Sequence, residues 1–259
     1  MQSRRSVLKT VAGASLMSAA SLDRVLGAND RVRVGLIGHG LIGTRHLIDF
    51  KAQPDCEIVA VSELSDARLE EAAAAAGNGP AKYKDFRKLL DRPDVDAIVV
   101  STPDHWHALM TILACAAGKD VYVEKPLTVF IDEGKWMLRA RDKYKRVVVV
   151  GTQRNHNPGH QVARKIVESG VLGKLQMVKL GAGTRNIYPG FGKTAVADPP
   201  ADFDYDLWLG PAPKRPYQAH RGLYHFRWFW DYSGGQLTNL ERTAWRHSCW
   251  SRARRAPPR

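Results

Sequence analysis

Cysteine is scarce in this sequence of 259 residues, and long apolar runs are missing. The three cysteines, Cys56, Cys115 and Cys249, are an odd number without a C-x-x-C spacing, which argues against both a disulfide framework and a zinc site. Cys115 lies within an apolar helical pattern, so we expect it to pack in a core. Because no apolar run is long enough, we expect no stable membrane span.

The positive charge of the chain is concentrated at its two ends. Of the formal net charge of +13, residues 1–28 contribute +3 and residues 240–259 contribute +5, which leaves +5 for the body between them. This excess is not interleaved with aromatic residues on one face, as it is on a nucleic-acid-binding surface. We therefore expect no nucleic-acid partner. The apolar content of 44% is ordinary for one large or two modest globular domains.

A glycine-rich turn follows the first apolar run of the body. The run Val32-Arg33-Val34-Gly35-Leu36-Ile37 leads into G-x-G-x-x-G and then into a helical pattern. This order predicts a dinucleotide-binding turn, in which the glycines allow a tight turn, the approach of a pyrophosphate and close packing of helix on strand. Unpaired N–H groups at the start of the helix would face the phosphates. The predicted cofactor-binding positions of this turn are Gly38, Gly40, Leu41, Ile42 and Gly43.

An acidic residue stands where such folds hold the adenosine ribose. The second apolar run, residues 57–62, ends at Glu63, twenty residues after Gly43. There a carboxylate accepts hydrogen bonds from the ribose hydroxyls. Because a 2′-phosphate would meet this negative charge, the sequence predicts NAD as the cofactor in preference to NADP. The alternative is that Glu63 is a solvated residue at the end of a strand.

Helical and strand patterns alternate beyond Glu63, as a parallel sheet requires. We therefore predict an α/β fold with a doubly wound parallel Rossmann sheet. The predicted helices are 66–76, 86–90, 106–117, 131–143 and 161–169. The predicted strands are 97–101, 121–123 and 147–150, and residues 175–181 have a strand-like alternation.

Two further motifs follow neighbouring strands of this predicted sheet. Residues 102–107, Thr-Pro-Asp-His-Trp-His, follow the strand that ends at Ser101, and Glu124-Lys125-Pro126 closes the next strand. Both motifs lie at the carboxyl edge, where open α/β sheets bind ligands. His105 and His107 stand two residues apart on a helix and do not share a face, so we predict no metal site. A desolvated lysine at position 125 would have a pKa lowered toward values useful for proton transfer.

In their order and spacing, these motifs resemble the Gfo/Idh/MocA oxidoreductases, the family of glucose-fructose oxidoreductase and inositol dehydrogenase. The resemblance continues through residues 151–154, 206–211 and 226–239, and it covers about residues 30 to 239. It implies NAD(P)-dependent hydride transfer between a nicotinamide cofactor and a carbinol carbon of a small-molecule sugar, cyclitol or related polyol. A homo-oligomer is left open.

The resemblance also implies roles for individual residues. Lys125 would be the catalytic residue that bridges cofactor and substrate, and Arg154 would face the substrate cleft from the start of a second domain. Trp228 and Trp230 are open to two interpretations, stacking on a sugar face or packing in a core. The remaining positions implied for the cofactor site are Thr102, Pro103, His107 and Glu124.

The resemblance stops at Asn239. In the family, the stretch matched by Gly234-Gly235 leads into a helix that carries a histidine used for proton transfer, whereas residues 240–259 contain six arginines and no such pattern. His247 does not fit the spacing. We hypothesise a shifted reading frame after Asn239, which the other two frames of the coding DNA would test. The alternative function is a catalytically impaired dinucleotide- or carbohydrate-binding fragment.

The sequence as a whole predicts four segments. Residues 1–28 resemble a twin-arginine export signal, in which Arg4-Arg5 precedes a mildly apolar stretch, and they predict a periplasmic or extracytoplasmic location. Cleavage of this signal, an uncleaved anchor and a disordered basic tail all stay open. Residues 29–151 form the dinucleotide-binding domain, residues 152–239 a partial substrate domain with an incomplete α+β open sheet, and residues 240–259 an aberrant arginine-rich tail.

Overall fold

Six parallel strands form the centre of the protein. The structure is a computed structural model that describes residues 31–153, 157–174, 176–177, 192, 194–222 and 225–241. The strands are β1 (Val32–Ile37), β2 (Cys56–Ser62), β3 (Ala81–Tyr83), β4 (Ala97–Val100), β5 (Asp120–Glu124) and β6 (Val148–Gly151). Their order is β3-β2-β1-β4-β5-β6, and all neighbours run parallel. This is the doubly wound order of dinucleotide-binding sheets, so the predicted Rossmann sheet is confirmed.

Helices connect the strands and continue after the sheet. They are α1 (Leu41–Lys51), α2 (Asp66–Ala76), α3 (Phe86–Leu90), α4 (Asp104–Ala116), α5 (Ile131–Tyr144), α6 (Pro158–Glu168) and α7 (Tyr205–Leu209). The bounds of α2 and α3 are those predicted. Helix α6 begins three residues earlier than predicted, because the side chain of Asn157 accepts a hydrogen bond from the N–H of Gly159 and caps the helix there.

Two regions differ from the predictions or lie beyond them. Strand β3 was not predicted, because its three residues are too few to show a periodicity. Of the strand-like stretch 175–181, only Gln176 and Met177 are among the described residues, and neither lies in a strand. The N-terminal segment 1–28 and the tail from residue 242 onward also lie outside the described residues.

The sheet separates two apolar clusters. Neighbouring residues of one strand point to opposite faces, so Ile98 and Val100 of β4 join one cluster while Val99 joins the other. Both faces are covered by helices, which explains why the central strands are almost uniformly apolar. Cys115 is fully buried in the first cluster, which confirms its predicted packing role.

A third apolar cluster docks the segment after the sheet onto the Rossmann domain. Trp208, Leu209, Phe226 and Tyr232 form it. The carbonyl oxygen of Trp208 accepts hydrogen bonds from the indole of Trp106, at 2.9 Å, and from the imidazole of His105, at 3.0 Å. Gly210 lies against the Trp106 ring, which a Cβ at that position would overlap. The stretch Asp206-Leu207-Trp208-Leu209-Gly210-Pro211 is therefore a docking element.

The two tryptophans left open by the sequence lie outside this core. Trp230 is 89% exposed, and Trp228 is half-buried with its ring centroid 6.0 Å from that of His225. Neither residue lines the cavity that opens at the carboxyl edge of the sheet, which is described below. The structure thus disfavours a core-packing role for them, and stacking on a sugar stays a prediction.

Candidate functional site

A cavity of about 540 Å³ opens at the carboxyl edge of the sheet. Its walls come from the turn after β1, the ends of β2, β4 and β5, and the segment that includes Phe226 and Asn239. Strands β1 and β4 are neighbours whose connections leave in opposite directions along the sheet. Open α/β sheets bind their ligands at this switch point.

The three glycines of the turn after β1 are present for different reasons. Gly38 has a φ of +91°, and a Cβ there would lie 2.9 Å from the carbonyl oxygen of Ser101. A Cβ on Gly43 would overlap the carbonyl oxygen of Gly38. Gly40 has an ordinary extended backbone, with φ −84° and ψ −163°, and nothing lies within 4 Å of the place its Cβ would occupy. The fold requires Gly38 and Gly43, whereas Gly40 leaves open space in the cavity.

That open space lies over the beginning of α1. Gly40 is the N-cap residue, no side chain caps the helix, and its first turn carries no acidic residue. The first N–H groups of a helix have no partner within the helix and carry partial positive charge. Leu41 and Ile42 line the cavity here. Together these features fit the diphosphate of a dinucleotide.

Glu63 follows β2 and is bonded to the glycine turn. One carboxylate oxygen accepts a hydrogen bond from the N–H of His39 at 2.8 Å, and the other accepts from Leu64 at 2.7 Å and Ser65 at 3.3 Å. Glu63 is half-buried and lines the cavity. A carboxylate offers about four acceptor sites, so these three bonds leave capacity for a ligand hydroxyl. The carboxylate is held in place, unlike that of a freely solvated strand-end residue.

Lys125 reaches the same cavity from the end of β5. Its ammonium group donates to the side-chain oxygen of Asn239 at 2.6 Å and to the carbonyl oxygen of Asn239 at 3.2 Å. The Lys125–Pro126 peptide bond is cis. Asn239 lies in the turn Leu237–Glu241 and is buried. Asn239 was not among the predicted site residues, although it is the last residue of the family resemblance.

Glu124 lines the cavity, and its carboxylate holds the strand end that carries Lys125. It is 2% exposed and accepts hydrogen bonds from the side chain of Gln153 and, at 3.0 Å, from the N–H of Lys125. The imidazole of His46 in α1 lies 2.6 Å from the same carboxylate. His46 and Gln153 were not predicted, because nothing in the spacing of the sequence connects them with Glu124.

The motif after β4 is divided between the cavity and the layer behind it. Thr102 and Pro103 line the cavity. His107 is 1% exposed, and its two ring nitrogens lie 2.7 Å from the carbonyl oxygen of Pro126 and 2.9 Å from that of Thr102. The structure therefore places His107 behind the cavity wall, where it joins the loops that follow β4 and β5.

Asp104 adds a buried carboxyl group to the cavity. It lines the cavity, is 4% exposed and accepts a hydrogen bond from the Ser233 hydroxyl at 2.5 Å. Burial raises the pKa of this carboxyl group, and electrostatic interactions with His107, Arg227 and Lys125 and the hydrogen bond from Ser233 partly offset the shift. A lysine ammonium group and a carboxyl group with a raised pKa on one cavity are groups that can move a proton.

The other predictions about the site have these outcomes. Arg154, the predicted substrate-binding residue, lies outside the described residues. Within the described part of the chain, no group of three or more His, Cys, Asp or Glu residues is arranged to hold a metal ion. In the same part of the chain, no helix has the length and apolarity needed to cross a membrane.

Comparisons with known proteins give the following matches. Residues 32–152 match the Gfo/Idh/MocA oxidoreductase family, NAD-binding Rossmann fold, and residues 157–244 match a C-terminal α/β domain of the same family. A myo-inositol 2-dehydrogenase of Thermotoga maritima is 30% identical over 149 residues, which are 58% of this chain and 44% of that protein. A glycosyl hydrolase family 109 protein of Saccharopolyspora erythraea is 34% identical over 179 residues, 66% of this chain and 37% of that protein.

Solved structures include related folds. A 3-ketoreductase from Actinomadura kijaniata in complex with NADP has a TM-score of 0.52 and 29% identity, and the match covers 56% of this chain and 46% of that chain. In all three of these comparisons, this chain spans less than half the length of the protein it matches.

Proposed function

We propose, because this chain belongs to the Gfo/Idh/MocA oxidoreductase family, that it binds a nicotinamide dinucleotide and takes part in hydride transfer to or from a sugar, cyclitol or related polyol. The observation that carries this proposal is the open space at Gly40. That space lies over the uncapped beginning of α1 and borders the cavity that Lys125 also lines. A dinucleotide seated there would share one cavity with Lys125.

Different residues around the cavity would bind different parts of the dinucleotide. The N–H groups of the glycine turn and of α1 would hold the diphosphate, and the remaining acceptor capacity of Glu63 would hold the adenosine ribose. The charge of Glu63 favours NAD over NADP. Arg68 also lines the cavity and carries the opposite charge, so the preference for NAD depends on the fixed position of Glu63.

Lys125 is the group proposed to contact the reacting oxygen. When bound, the nicotinamide would supply the hydride donor or acceptor. In reduction the ammonium group of Lys125 would give its proton to the substrate oxygen, and in oxidation the amine of Lys125 would take the hydroxyl proton. The ammonium group of Lys125 would stabilise negative charge that develops on the substrate oxygen. Asn239 holds this ammonium group, and the backbone N–H of Lys125 donates to the carboxylate of Glu124. Relatives named as inositol dehydrogenases and a 3-ketoreductase support a polyol or sugar substrate.

A panel assay tests this function. The purified full chain is incubated with NAD or NADP together with one candidate substrate at a time: myo-inositol, scyllo-inositol or a common hexose. Formation of the reduced cofactor is followed. We expect turnover with at least one polyol, and a loss of at least a hundredfold in kcat for Lys125→Met. Lys135→Met is the matched control, because Lys135 is an exposed lysine on α5 paired with Asp132.

Two results would contradict the proposed reaction. Cofactor binding without turnover of any polyol would favour the alternative of a catalytically impaired binding fragment. Release of the leaving group from a glycoside panel, without net formation of reduced cofactor, would favour an activity like that named for the glycosyl hydrolase relative.

A further inference from the structure

The hydroxyl group of Ser101 has no hydrogen-bond partner among the described residues, although it is deeply buried. Ser101 directly follows β4, is 6% exposed and lines the cavity. Its backbone is fixed by a hydrogen bond of 2.9 Å from its N–H to the carbonyl oxygen of Ile37. A buried polar group that lacks a partner destabilises the folded state, so such a group calls for an explanation.

Ser101 differs in this respect from the other serine and threonine side chains around the cavity. The hydroxyl of Ser62 donates to the carbonyl oxygen of Lys84, that of Ser65 to Asp202, and that of Thr102 to the sulfur of Met110. All four residues line the cavity, and Ser101 alone among them has an unpartnered hydroxyl. General polarity of the cavity wall therefore does not account for it.

Ser101 lies beside the glycine turn, and this position indicates which ligand its hydroxyl group can bind. Ser101 packs against the glycine turn. A Cβ added to Gly43 would lie 3.5 Å from the Cβ of Ser101, and a Cβ added to Gly38 would lie 2.9 Å from the carbonyl oxygen of Ser101. It thus stands between β1 and β4, beside the beginning of α1. A serine hydroxyl can donate to a phosphate oxygen or to a ribose hydroxyl.

We propose that the Ser101 hydroxyl donates a hydrogen bond to the diphosphate–ribose portion of the bound dinucleotide. This inference rests on the proposed function and adds a specific side-chain donor to the backbone N–H groups of the glycine turn. The hydroxyl group is unsatisfied in the free protein and gains its partner when the dinucleotide binds. Its contribution therefore favours binding and not folding.

The variant Ser101→Ala separates binding from folding, with Thr111→Val as its matched control. Thr111 lies in α4, is fully buried and also has an unpartnered hydroxyl, but it does not line the cavity. Because each variant removes an unsatisfied hydroxyl, we expect both to unfold at the same urea concentration as the parent chain or at a higher one. We expect only Ser101→Ala to bind NADH more weakly, by about tenfold.

The experiment titrates NADH and ADP-ribose into the full-length parent chain and into both variants, and it follows binding by calorimetry. ADP-ribose contains the diphosphate and both riboses of NADH but lacks the nicotinamide ring, so we expect equal losses for the two ligands in Ser101→Ala. A loss for NADH alone would place the contact at the nicotinamide ring and would overturn this inference. Unchanged NADH affinity in Ser101→Ala, or a clear loss of its stability, would overturn this inference while leaving the proposed function intact. If the parent chain binds neither ligand, both the proposed function and this inference fail.

Discussion

Replacing Gly43 with alanine is expected to lower the free energy of unfolding by about 3 kcal/mol. The added methyl group would overlap the carbonyl oxygen of Gly38, which belongs to the backbone and cannot move aside like a flexible side chain. Gly38 itself is fixed by a hydrogen bond of 2.9 Å from its N–H to the carbonyl oxygen of Ser62. Relief of the overlap therefore requires separating α1 from the sheet. Urea unfolding followed by tryptophan fluorescence measures the loss.

Gly40→Ala is the control for this prediction, because it adds the same methyl group three residues earlier in the same turn. Nothing lies within 4 Å of the added atom, and the backbone of Gly40 is in a conformation open to alanine. We expect its free energy of unfolding to stay within about 0.5 kcal/mol of the parent value. Equal destabilisation by the two substitutions would mean that the turn does not have the packing described above.

Acidification is expected to destabilise the packing of helix α7 and the chain around it (the α7 segment, residues 205–211) on the Rossmann domain, because His105 contacts this segment at Trp208. Burial lowers the pKa of His105 to about 4, from an ordinary value of 6.5, and the hydrogen bond to Trp208 offsets only part of this shift. A histidine whose pKa is depressed in the folded state contributes full stability above pH 6.5. That stability is lost as the pH falls toward 4, because the unfolded chain takes up the proton first. The expected loss between pH 7 and pH 5 is about 2 kcal/mol.

The measurement compares urea unfolding of the parent chain and of His105→Gln at both pH values. Glutamine can donate a hydrogen bond to the carbonyl oxygen of Trp208 but does not titrate, so the variant should lose about 2 kcal/mol less between pH 7 and pH 5 than the parent chain does. Other groups titrate in this range, and the difference between the two proteins removes their contribution. Identical pH dependence in parent and variant would show that His105 is not buried in the neutral form.

Local spacing was sufficient to predict that the glycine turn and Glu63 lie together at one cavity. The glycine turn and Glu63 belong to one strand–helix–strand unit, in which the distance along the sequence fixes the distance in space. The motifs at residues 102–107 and 124–126 were also placed correctly at the edge of the sheet, because parallel strands bring their carboxyl ends together. These parts of the site follow from rules that act over a few tens of residues.

The remaining parts depend on contacts between residues far apart in the sequence. Asn239 meets Lys125 across 114 residues, and Ser233 meets Asp104 across 129 residues. No periodicity or spacing encodes such pairs, since they arise only when the α7 segment docks on Trp106 and His105. The place of His107 was equally beyond prediction, because a histidine at a helix start can turn its ring toward a cavity or toward the loops behind it.

Binding of NAD at Gly40 is tested most directly by calorimetric titration of NAD into the purified parent chain and into Gly40→Ala. We expect one NAD to bind per parent chain and at least tenfold weaker binding by Gly40→Ala, because the added methyl group would occupy the space that the diphosphate needs. The unchanged stability of that variant would show that the loss concerns the ligand and not the fold. Equal NAD affinity in the two proteins, or no binding by a folded parent chain, would mean that the space at Gly40 does not hold the diphosphate.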